Sequence, residues 1–163
     1  MAGATIWPDN PALFWRLVTD NVMGGVSRGT IANENLVGRQ AVRMRGDIST
    51  ANNGGFIQMA LDFAADANSF DASAFSGLEI DVLGNGENYG VHLRTTAMTR
   101  PQQSYRHVFH AMPTWQTLRV SFSDFVPHRV DAVLDPRILR RIGLVAIGRD
   151  FVGDLAVARL AFY

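Results

Sequence analysis

The feature that most limits what this chain can become is the spacing of its apolar residues, which recur at every second position in short runs that turn residues cut apart. Only an extended strand sends alternate side chains to opposite sides. Val42, Met44 and Ile48 alternate with Arg43, Arg45 and Asp47, while Ile57, Met59, Leu61 and Phe63 alternate with Gln58 and Asp62. The same period returns in Leu78, Ile80 and Val82, in Tyr89, Val91 and Leu93, in Tyr105, His107 and Phe109, and in Leu118, Val120 and Phe122. Two continuous apolar runs, 142–148 and 155–162, read as central strands. Helical signals appear only at Asp135-Pro136, an N-cap followed by an N1 proline, which predicts one or two turns with Ile138, Leu139 and Ile142 inward. About eight short strands with one short helix predict an all-β fold, a β-sandwich or jelly roll.

Within that frame Gly84-Asn85-Gly86 predicts a hairpin joining strand 78–82 to strand 89–93. After Arg28, Gly29 and Thr30 the chain reads as an Asn-rich turn. Trp7-Pro8 and Asn10-Pro11 keep residues 1–14 out of a helix and make them an extended arm, leaving 15–163 as a single domain. A chain of 163 residues is long enough to bury roughly two thirds of its unfolded surface without staples.

Composition removes several function classes. Fifteen basic and fifteen acidic residues leave no formal net charge, so long-range attraction to nucleic acid or an anionic membrane is absent. With no cysteine there are no disulfides, thiolate metal sites or thiol nucleophiles. No basic segment leads into an apolar run at the start, and no run approaches the ~18 apolar residues of a membrane span. The expectation is a cytoplasmic protein of prokaryotic type.

Two segments depart from generic strand-and-turn sequence: Asp20-Asn21-Val22-Met23-Gly24-Gly25-Val26-Ser27 and Asn52-Asn53-Gly54-Gly55-Phe56. Each holds adjacent glycines flanked by amide or carboxylate side chains. Gly reaches positive φ without strain and Asn or Asp bonds its own turn, so both read as tight, specified loops lying side by side at one end of the sandwich. A phosphate cradle is not expected, because no helical period follows either loop. Asp20 is expected to cap backbone amides. Met23 either plugs the sandwich end or, if exposed, suits a protein contact.

Trp15, Asp20, Val22-Met23-Gly24-Gly25, Ser27 and Asn53-Gly54-Gly55-Phe56 together resemble the complex I intermediate-associated protein 30 family. The likeness continues through Arg94 after Tyr89, the spaced pair Tyr105 and Phe109, Trp115, Phe122, Phe125, Pro127 and Ile142-Gly143. Val42 departs from it, standing where an aromatic is often found. The resemblance implies a galactose-binding-type jelly roll. It also implies a non-catalytic, chaperone-like factor that holds intermediates of NADH:ubiquinone oxidoreductase, with a respiratory complex subunit as partner.

Catalytic and metal chemistry find little support. His107 and His110 lie an odd number of positions apart on a strand and project to opposite faces, and no carboxylate at ligand spacing accompanies His92. Glycoside hydrolysis needs two carboxylates converging on one cleft; Glu79 and Asp81 share a strand face but read as the solvated side of a sheet, and the other two glutamates, Glu34 and Glu87, fall in turns. A serine nucleophile elbow is absent. No enzyme activity, cofactor or metal is expected. The polar positions Gln58, Glu79, Asp81, His92, Arg94 and Arg119, joined by Tyr105 and His107, are expected to form one sheet face with rings among polar groups, a surface suited to saccharide as the alternative ligand.

Overall fold

The computed structural model describes residues 4–163 as two antiparallel sheets packed face to face. Sheet I runs in the order β3 (Arg28–Leu36), β4 (Arg39–Ile48), β12 (Phe151–Phe162), β6 (Gly77–Leu83), β9 (Gln116–Ser121), with β1 (Ala4–Trp7) also paired to β12. Sheet II runs β10 (Val126–His128), β8 (Ser104–His110), β7 (Asn88–Thr95), β11 (Leu139–Ile147), β5 (Phe56–Asp62), β2 (Arg16–Thr19). The inward set of each strand is the apolar set read from the sequence: Met44, Met59, Leu61, Ile80, Val91, Leu144 and Leu155 are wholly buried. Each such side chain contributes about 1.5–3 kcal/mol by leaving water. Phe162 ends the core in a cluster of rings, stacked on Phe70 with centroids 5.2 Å apart.

Among the described residues there is no α-helix. Asp135 does cap the following turn, accepting from the Arg137 N–H with Pro136 at its start, but Pro136–Ile138 is a single 3-10 turn. The chain then enters β11 at once, so Leu139 and Ile142 face inward as strand residues. Residues 4–7 of the expected arm pair with β12, and residues 1–3 lie outside the described residues.

Two organisational expectations fail. Strands 77–83 and 88–95 are not a hairpin; they belong to different sheets. The Gly84-Asn85-Gly86 turn spends its donors elsewhere: the amides of Gly84 and Gly86 bond the Met112 and Ala111 carbonyls, and the Asn85 amide bonds Val152. It carries the chain across the end of the sandwich. The Asn-rich stretch after Thr30, expected to turn, lies instead within the nine-residue edge strand Arg28–Leu36. Its outward residues face solvent and need not be apolar, so alternation is faint there. The hairpin to β4 closes at Val37 and Gly38, both at positive φ.

Candidate functional site

The two glycine-paired bends meet around one carboxylate. Thr19 caps a 3-10 turn, Asp20–Met23, that ends on Gly24 with φ of 84°. Asp20 is fully buried. Its Oδ1 accepts from the Ser27 N–H at 3.0 Å, and its Oδ2 accepts from the Ser27 hydroxyl at 2.5 Å, the Gly55 N–H at 2.6 Å and the Phe56 N–H at 3.3 Å. Burial by itself raises the pKa of such a group, but the Ser27 hydroxyl and the Gly55, Ser27 and Phe56 amides outweigh it and hold Asp20 below the ordinary carboxylate value. A Cβ on Gly25 would lie 2.4 Å from Asp20 Cγ, and one on Gly54 would lie 2.5 Å from Asp20 Oδ2. Those glycines are what let the carboxylate in.

The rest of the motif supports this brace. Asn21 Nδ2 donates to the Ser27 carbonyl at 2.9 Å and to Thr19 Oγ1 at 2.7 Å, closing the first bend on itself. Asn52 and Asn53, both with φ of 57°, turn the second bend, and Gly55 carries the chain into β5 at φ of 126°. Met23 does not plug the sandwich end. Val22 is 78% exposed, Met23 58% and Val26 46%, so the tip offers three apolar side chains to solvent on a rigid base. Beside it lies an open depression of about 520 Å³ bounded by Asn21, Val26 and Arg28.

The expected polar face is not one surface. Glu79, Asp81 and Arg119 stand on the outer face of sheet I, while Gln58, His92 and Arg94 stand on the outer face of sheet II. Tyr105 and His107 are on neither. Tyr105 is buried, its hydroxyl donating to the Ala132 carbonyl at 2.7 Å, and His107 turns inward onto Phe125 with ring centroids 6.1 Å apart. The register explains it: Val91 pairs with His107, and His92 with Arg106. In β8 the apolar rings Tyr105 and Phe109 fix which side is inward, so Arg106 is the outward residue that sequence reasoning passed over. The ring-bearing set had to go inside.

The outer face of sheet I is closed by its own side chains. Asp81 accepts from Arg39 at 2.9 Å and from the Thr117 hydroxyl at 2.7 Å; Glu79 pairs with Arg119 at 3.1 Å and Arg159 at 3.4 Å. Further along, Arg43 makes two bonds to Asp154, at 2.8 and 2.7 Å. Trp115, with Leu36 and Leu83, covers Ala41, Ala156 and Ala158, and the Arg39 guanidinium sits 5.0 Å from the Trp115 ring centre.

The outer face of sheet II differs. At its centre are Gly90, Gly143 and Ala60, on adjoining strands β7, β11 and β5. The His92 ring folds over Gly90 and the Gln58 amide over Gly143: a Cβ on either glycine would lie 3.0 Å from His92 Nε2 or 2.4 Å from Gln58 Oε1. Among the described residues neither His92 nor Gln58 has a hydrogen-bond partner. Burial, then Arg106, then His128 push the His92 pKa down from 6.5 to about 3, so the ring is neutral. Toward one end Arg94 is committed to the carbonyls of Arg100, Pro101 and Gln103, which makes it a brace for that loop. Asp62 is shared by Arg141 at 2.7 Å and Arg16 at 3.4 Å. Among the described residues no three His, Asp or Glu side chains gather in a way that could hold a metal ion, and no helix is long and apolar enough to cross a membrane.

The brace of Asp20, Ser27 and the two glycine pairs lies within a match over residues 5–156 to the family model described as complex I intermediate-associated protein 30 (CIA30). The chain belongs to that family. No curated protein sequence matches it. Among solved structures it is similar to the family 11 carbohydrate-binding module of the cellulosomal cellulase Lic26A-Cel5E of Clostridium thermocellum, with a TM-score of 0.75 at 12% identity, covering 99% of this chain and 94% of that one. The family 30 module of the cellulosomal cellulase Cel9D-Cel44B of Clostridium thermocellum is similar at a TM-score of 0.71 and 14% identity, covering 100% of this chain and 98% of that one. At these identities the likeness establishes the jelly-roll fold.

Proposed function

We propose that this protein is a non-enzymatic, chaperone-like binding protein of the complex I assembly type, which captures a subunit or intermediate of NADH:ubiquinone oxidoreductase by surface docking. The observation that carries this reading is the tip formed by Val22, Met23 and Val26, three exposed apolar side chains held by a buried carboxylate that accepts four hydrogen bonds. A preformed apolar tip docks without the ordering cost that a flexible loop would meet. A methionine there adapts to irregular surfaces. The motif residues Asp20, Asn21, Ser27, Gly24, Gly25 and the Asn53-Gly54-Gly55-Phe56 bend hold the tip in place; Met23 and its neighbours make the contact.

The test is affinity capture of the tagged protein from its own cells, with complex I subunits identified in the eluate. Met23→Ser, which leaves the brace untouched, lowers their recovery several-fold while the melting temperature stays put. Equal recovery by Met23→Ser and Val22→Ser removes the tip from the contact.

A second reading, saccharide binding on the outer face of sheet II, is favoured by the unpartnered Gln58 and His92 and by the carbohydrate-binding modules that share the fold, one of which was solved with a β-1,3-1,4-mixed-linked tetrasaccharide. It lacks stacking rings, since Tyr105 is buried. That tetrasaccharide raising the melting temperature of the native chain, but not of Gln58→Ala, supports it.

A further inference from the structure

The outer face of sheet II carries an excess of cations. Arg16, Arg94, Arg106 and Arg141 stand on its strands with Asp62 as the carboxylate among them, and Asp62 is already taken by Arg16 and Arg141. Arg94 is committed to loop carbonyls. Arg106 is different. Its Nε donates to the Ser104 hydroxyl at 2.8 Å, and among the described residues it has no ion-pair partner. Directly across the strand pair is His92, and the adjoining β10 brings His128 opposite Ser104. Burial first, then Arg106 and His128, holds the His92 pKa down, and burial first, then Arg106 and Arg129, holds that of His128 down. Arg106 thus stands as a cation without a counter-ion beside two imidazoles, and the opposite charge is left for something outside the chain to supply.

We infer that Arg106, His92 and His128 form a binding site for an oxyanion, a sulfate, phosphate or carboxylate group, whose binding draws a proton onto His92. The guanidinium of Arg106 offers its remaining N–H groups for paired bonds to such a group. The imidazole of His92, neutral and without a hydrogen-bond partner in the free protein, takes up a proton from water once an anion offsets Arg106, and then donates to the bound oxygen. The other charged groups near His92 do not compete: Arg94 on its own strand is occupied, Arg141 on β11 is paired with Asp62 of β5, and Gln58 is uncharged. This site differs from the apolar tip, and its ligand differs in class from the neutral saccharides of the second reading.

The test is titration of the full chain with sodium sulfate, whose charge is constant over the working pH range, followed by NMR of the amides and the His92 ring. A galacturonate trisaccharide and the neutral mixed-linked tetrasaccharide are run in parallel to separate a free anion, an acidic sugar and a neutral one. Sulfate shifts the resonances of residues 92, 106 and 128 and binds up to about tenfold more tightly for each pH unit lowered, because one proton is taken up with it. His92→Gln binds sulfate with that pH dependence lost, and Arg106→Gln loses binding with its fold intact. Absence of sulfate-induced shifts at about pH 5.5 overturns the proposal, as does an unchanged pH profile in His92→Gln. Preference for the neutral tetrasaccharide over both anions overturns it while leaving the saccharide reading standing.

Discussion

The outer faces of the two sheets are built from the same kinds of residue and finish in opposite conditions. On sheet I almost every charge meets its opposite: Asp81 with Arg39, Glu79 with Arg119 and Arg159, Asp154 with Arg43, and Trp115 seals three alanines beneath it. On sheet II a strip of glycine and alanine lies beneath two polar side chains that, among the described residues, have no hydrogen-bond partner, beside an arginine that has no carboxylate among them. A face that satisfies itself stabilises the fold. One that leaves donors and charges unmatched adds less to the fold and is the face on which the oxyanion site is proposed.

Substitutions on the two faces sharpen that contrast, the largest effect falling on the sealed one. Asp81→Ala strands Arg39 and Thr117, leaving Arg159 to Glu79, and costs about 2–3 kcal/mol, because bonds to a charged group are the strong ones. Urea unfolding reads this directly, and a cost below about 0.5 kcal/mol would erase the distinction between the faces.

Next comes acid. His92 has a folded pKa of about 3 against an ordinary 6.5, so its neutral form is favoured in the folded chain; its contribution is complete above 6.5 and is lost as pH falls from there toward 3. The slope is at most about 1.4 kcal/mol per pH unit. Asp20 acts in the same direction but only at lower pH, since its depressed pKa lies below 3.8 and its stabilisation disappears as pH falls through that depressed value. Unfolding midpoints at about pH 7 and pH 4.5 therefore read His92 together with His128, whose pKa burial, Arg106 and Arg129 also depress, and His92→Gln reduces the difference between them.

Smaller still is Gly143→Ala, whose Cβ meets only the movable end of Gln58; calorimetry should find a loss of less than about 1 kcal/mol. Smallest is Arg106→Gln, within about 0.5 kcal/mol of the native chain in the same measurement, because no carboxylate loses a partner.

What could be read beforehand followed from local patterning. Strands with strict alternation, such as 57–63 and 78–82, revealed both their existence and their inward side, because burial acts residue by residue. The meeting of the glycine pairs was likewise visible in composition, since two bends that both need room for close approach are natural neighbours. Sheet membership was not visible. Whether strand 77–83 pairs with strand 88–95 depends on where the Gly84 and Gly86 amides find acceptors, and those lie at Met112 and Ala111, far along the chain. Hence Glu79 and His92 were placed on one surface when the thickness of the sandwich divides them. Arg106 was hidden for a related reason: its importance arises from facing His92, a fact of register rather than of spacing.

The Asp20 carboxylate also joins two bends that lie far apart in the sequence. One oxygen grips the Phe56 amide, the first residue of the strand on which Gln58 sits two positions later, and the same group fixes the turn that carries Met23. A partner that levered the tip outward would therefore pull on the first residue of β5 through that one carboxylate.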